Sequence, residues 1–141
     1  MSANTSPIFS TKGAIQWNPA ILNTANTAVD GTGTVATIFT GQTANNAAGN
    51  FVQKLVARSL GSNVATVLRV FINNGSVNTT AANNTLLAEM TLPATALSQV
   101  SALPDYSVAL NFALPAGYRI NVTLGTAVAA GYAVTVIGGE Y

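Results

Sequence analysis

At 141 residues, 49% of them apolar, the chain is long enough for one domain with its own core. Only 6% of its residues are charged, against about 25% in an ordinary soluble domain. A net charge of +1 excludes an electrostatic hold on nucleic acid or acidic lipid, and the absence of His and Cys excludes imidazole and thiolate catalysis, disulfides and nearly every zinc site.

Thr, Asn, Ser and Gln stand where charged residues would ordinarily be. Such a surface presses against another protein without stripping water from many ions, a step that is expensive for each unpaired charge. It also lowers the colloidal barrier to association, so the composition is that of a subunit. Apolar residues recur with a clear period, which argues against disorder. Asn, Thr or Gly interrupts every apolar window well short of the roughly 18 to 20 residues of a membrane-spanning helix, and the first residues lack a secretory-signal pattern.

In chain order, residues 1–25 scatter Phe9, Ile15, Trp17, Ile21 and Leu22 among small polar residues without sustained alternation, and read as an extended N-terminal arm or loosely attached strand. Asp30-Gly31-Thr32-Gly33 is a turn, and 34–40 reads as a β-branched strand. A loop around Asn45-Asn46 leads to a strand over 51–58. The turn at Gly61-Ser62-Asn63 leads to a strand over 64–72, whose Val64, Leu68, Val70 and Ile72 share a face. Asn74-Gly75 is a strong turn signal, because this pair readily takes positive φ.

Residues 85–92 alternate next, and 94–99 have room for one helical turn. The cleanest two-residue periods follow. Tyr106, Val108, Leu110, Phe112 and Leu114 oppose Ser107, Ala109, Asn111 and Ala113; after Pro115-Ala116-Gly117, Tyr118, Ile120, Val122 and Leu124 oppose Arg119, Asn121 and Thr123. A last strand covers 132–137. Period two means one buried and one wet face, so the expectation is an all-β antiparallel fold, a β-sandwich or jelly roll, as a single domain over 26–141 preceded by the arm.

The four carboxylates, Asp30, Glu89, Asp105 and Glu140, lie far apart in sequence and form no acidic cluster for calcium. Ser10-Thr11-Lys12 reads as an exposed lysine in the arm. Lys54, Arg58 and Arg69 suggest at most a short basic stripe, better suited to ion pairs than to nucleic acid. Trp17 with Tyr106, Tyr118 and Tyr132 could stack a sugar, but the tyrosines open strands in the core-facing register. The expectation is therefore no enzyme, no cofactor and no metal, with Phe9, Ile15 and Trp17 as the partner interface.

Residues 51–61 (FVQKLVARSLG), 66–75 (TVLRVFINNG), 86–90 (LLAEM) and 114–120 (LPAGYRI), with the close of the chain from Tyr132 to Tyr141, resemble the head decoration, or cement, proteins of tailed bacteriophages. The likeness covers about residues 45–141 and marks strands rather than an interface. It implies a jelly-roll subunit on the outer surface of the virion's icosahedral head, assembled in the host bacterial cytoplasm. The implied partners are the major capsid protein and the chain itself, as homodimer or homotrimer, with no nucleic acid and no membrane. The alternative is a carbohydrate-binding or adhesin-type module of a virion.

Overall fold

The computed structural model describes residues 10–44 and 48–141. Its eight strands are β1 (Lys12–Trp17), β2 (Ala36–Thr40), β3 (Asn50–Ser59), β4 (Thr66–Asn73), β5 (Asn84–Leu92), β6 (Asp105–Leu114), β7 (Arg119–Leu124) and β8 (Tyr132–Glu140). They form two four-stranded sheets in the orders β1-β8-β3-β6 and β2-β7-β4-β5, and every neighbouring pair is antiparallel. The all-β sandwich expected from the two-residue period is therefore the fold. Among consecutive strands, β4 and β5 alone are neighbours in one sheet; every other connection crosses between the sheets.

The core lies between the sheets. The first sheet contributes Val52, Leu55, Ala57, Tyr132, Val134 and Val136, and the second contributes Phe39, Leu68, Val70, Ile120, Val122 and Leu124. All are fully buried, and each large apolar side chain contributes roughly 1.5 to 3 kcal/mol by leaving water. The phase of β3 is reset midway. Val52 pairs with Phe112 but Lys54 pairs with Ala109, so Leu110 and Asn111 together oppose Gln53. Asn111 takes φ 54 there, a left-handed conformation that asparagine tolerates better than most residues. Val52 and Leu55, three positions apart, thus both face inward.

Of the segment 1–25, read as an extended arm or loosely attached strand, part forms a strand. Residues 1–9, with Phe9, lie outside the described residues. Lys12–Trp17 is an edge strand paired along its whole length with β8, and Leu22 is buried in the core. Gln16 fastens this edge to the second sheet: its Nε2 donates to the Thr40 carbonyl at 3.1 Å, and its Oε1 accepts from the Thr40 N–H at 3.0 Å. Alternation was hard to see because β1 turns small Ala14 and polar Gln16 inward and large Ile15 and Trp17 outward.

Two smaller expectations also shift. The strand expected from Val64 begins at Thr66, because Asn63 is used as a buried staple. Its Oδ1 accepts from the N–H groups of Ala130 and Gly131 (2.8 and 3.0 Å), and its Nδ2 donates to the Gly131 carbonyl at 3.0 Å. Residues 94–99 form no helix. Thr95 instead bridges to the Asn63 backbone, and a short helical turn falls at Ala81–Asn83.

Candidate interaction face

The two sheets treat their outer faces differently. On the second sheet, Phe71 and Asn73 of β4 and Asn121 of β7 take the outward register, yet Phe71 is fully buried and stands outside the core cluster. A roof explains it. The loop of residues 26–35 leaves β7 at the hydrogen bond from the Asn26 N–H to the Leu124 carbonyl (2.7 Å) and reaches the start of β5. There Gly31, at φ 79, packs so closely that a Cβ would lie 2.7 Å from the Asn84 Cβ. Asn78, in the β4–β5 connection, holds the loop by donating from Nδ2 to the carbonyls of Gly31 and Gly33 at 3.2 and 2.8 Å. Asn26 braces it from within through the carbonyls of Thr32 and Thr34.

The outer face of the first sheet has no such roof among the described residues. Register places its outward residues in rows across β1, β8, β3 and β6: Ile15, Ile137, Lys54 and Ala109 in one row, and Trp17, Thr135, Val56 and Ser107 in the next. Ile15 is 57% exposed and Trp17 65%. A solvated sheet face is ordinarily polar; this one is largely aliphatic, aromatic or small. At its end a shallow groove of about 320 Å³ runs between Trp17, Pro19, Ile21, Leu60 and Ala133.

Charge is sparse here and mostly neutralised. Arg58 pairs with Asp105 across β3 and β6; Lys12 and Glu140, in the opposite phase at the ends of β1 and β8, pair at 2.9 Å. Lys54, in the middle of the Ile15–Ile137 row, has no carboxylate partner among the described residues. The expected basic stripe does not form: Lys54 and Arg58 share this face, but Arg69 lies on the other sheet, bound to Glu89 at 2.8 Å.

Ile15 and Trp17, expected at an interface, do stand together on this face, while Phe9 falls outside the described residues. Val56, Ile137 and Leu60 complete the face and were not singled out from sequence; Lys54, which also stands here, was read there as part of a basic stripe suited to ion pairs. The available signal was that β8 is apolar in both phases, with Val134 and Val136 inward and Ala133 and Ile137 outward.

The tyrosines do not join Trp17. Tyr132 is fully buried, Tyr106 and Tyr118 pack against the core, and burial next to Tyr106 pushes the Tyr132 phenol above its ordinary pKa. A second cleft, of about 380 Å³, opens beside β2 between Leu22, Ala36, Val122 and Thr123. Neither cleft is lined by an acidic residue, and among the described residues no group of three metal-ligating side chains occurs. Asp30, on the roof, is held below the ordinary carboxylate pKa by the Thr32 hydroxyl and N–H. Comparison with family models, curated proteins and solved structures finds no match to this chain.

Proposed function

We propose that the chain is a structural virion protein that binds the outside of an icosahedral phage head and stabilises the shell of major capsid protein by bridging capsomers. The observation that carries this reading is the contrast between a roofed and a bare sheet face in one small sandwich. An ordered loop covers the second sheet, while among the described residues Ile15 and Trp17 of the first sheet stand exposed beside half-buried Val56 and Ile137. The resemblance to head decoration proteins supports it. So does the strand order, which we read as jelly-roll: two sheets filled alternately, with β4–β5 the sole hairpin.

The size of the face suits a lattice. Four strands about 4.8 Å apart and three or four side-chain rows about 7 Å apart give a patch of roughly 400 Å². A stable pairwise complex buries about 800 Å² per partner. A single contact is weak, and many copies engaging one shell, or an oligomer engaging several sites, multiply it. Binding restricted to the assembled shell stabilises that shell by mass action.

The test is co-sedimentation of the purified chain with expanded phage heads lacking it. Saturation at a fixed ratio to the major capsid protein, with a raised melting temperature of the heads, is the expected result; no binding to heads would refute the reading. A carbohydrate-binding module draws support from the exposed Trp17 beside its groove, but the three tyrosines that would extend a stacking platform are packed inward. A glycan array separates the two.

A further inference from the structure

We infer that the bare face of the first sheet receives a second, chemically distinct protein surface that presents one carboxylate to Lys54 and one apolar side chain to the groove beside Trp17. The inference rests on the shell-binding reading and names the chemistry of the partner's contact.

The argument is one of charge and shape. Lys54 lies between Ile137 and Ala109 in its row, so its ammonium rises from apolar or methyl-bearing neighbours. An apolar surface docked here would strip water from that charge, and an uncompensated buried charge is strongly unfavourable. The docking surface must therefore carry a carboxylate at that point. The groove between Trp17, Leu60, Ile21 and Ala133 lies one to three rows away, about 12 to 20 Å from Lys54 by strand and row spacing. Its lining is largely apolar and concave, which suits an aliphatic or aromatic anchor.

A second copy of this chain does not supply the complement through the same face. Of the carboxylates, Asp105, Glu140 and Glu89 are each in an ion pair with Arg58, Lys12 and Arg69. Asp30 is engaged with Thr32 alone, but it stands on the roof over the opposite sheet. A two-fold contact of this face on itself thus brings Lys54 no partner. Another protein does so without breaking an existing pair.

The experiment measures binding to expanded heads stripped of the chain, as a function of salt, for the wild-type chain and three variants. Lys54→Gln and the exposed-turn variant Thr79→Glu have the same net charge, each one unit below +1. Ala133→Trp fills the groove. The expected result is that Lys54→Gln binds about tenfold weaker at low salt and that this gap closes as salt screens the pair. Thr79→Glu should bind like the wild type, and Ala133→Trp at least tenfold weaker at any salt. Melting temperatures of the free variants control for folding, with Lys54→Met, which keeps the aliphatic stem, as replacement if Gln lowers melting.

Equal binding by Lys54→Gln and Thr79→Glu, with Ala133→Trp unaffected, overturns the inference and leaves shell binding standing. Failure of the wild-type chain to bind heads overturns both. Salt-sensitive self-association of the free chain, abolished by either Lys54→Gln or Asp30→Asn, would make the occupant a second copy and also overturn the proposal.

Discussion

Phe71, on the interior strand β4, and Trp17, at the end of the edge strand β1, both turn away from the core, yet the first is fully buried and the second is 65% exposed. Strand alternation does not decide the difference. The loop of residues 26–35 does, held down by Asn78 and by the fit of Gly31 on Asn84. One sheet thus buries Phe71 among Asn73, Asn121 and Thr123 under its own roof, and the other keeps Ile15 and Trp17 largely in water. Apolar residues on the roofed face contribute to stability. Those on the bare face contribute little until something covers them.

The largest effect that would break or confirm this contrast is in a pair of truncations. Phe71→Ala removes a fully buried ring and should lower the unfolding free energy by about 3 to 5 kcal/mol. Trp17→Ala removes a larger side chain and should change it by no more than about 0.5 kcal/mol. Denaturant unfolding of both variants, with slopes compared to the wild type, measures this directly. Similar losses for the two would erase the distinction between the faces.

The roof itself comes next. Gly31→Ala places a Cβ against Asn84 at a left-handed backbone position, and should destabilise by about 1 to 3 kcal/mol. Asn78→Ala leaves two loop carbonyls without their side-chain donor and should lower stability by about 1 to 2 kcal/mol. It should also admit protease to residues 27–35 well below the global unfolding transition; limited proteolysis with mass mapping reads this out, and protection equal to the wild type would show that Asn78 does not hold the roof.

A smaller effect sharpens where the tyrosines sit. Because the folded Tyr132 phenol titrates above its unfolded value of about 10, the folded chain retains that proton longer than the unfolded one. Its contribution to stability is complete below that pH and is lost as pH rises through the folded value. Melting temperature should therefore fall with pH above about 10 in the wild type, and Tyr132→Phe should fall less steeply. Identical slopes would place Tyr132 outside the buried layer.

What could be read from sequence follows from these same residues. The strands from β5 to β8 were legible because Leu110 and Phe112, or Ile120 and Val122, alternate cleanly with small or polar neighbours. β1 was not, since its inward residues are Ala14 and Gln16; the latter faces in only because Thr40, distant in sequence, supplies both of its hydrogen bonds. Phe71 sits between Val70 and Ile72 in an unbroken apolar run, so period alone assigns one phase to the core and leaves the fate of the other open. Its burial depends on contacts between residues 31 and 78 that local patterning does not encode. Ile15 and Trp17 were recognisable as outliers, and Lys54 as a charge suited to an ion pair, whereas its place beside Ile137 follows only from the register.

The central claim is that the bare face serves binding rather than folding, and one doubly substituted chain tests it most directly. Ile15→Ser with Trp17→Ser should unfold at the wild-type denaturant midpoint, within about 0.5 kcal/mol. The same chain should lose at least tenfold in affinity for stripped, expanded heads and fail to raise their melting temperature. Wild-type affinity in that variant, with the fold intact, would contradict the account.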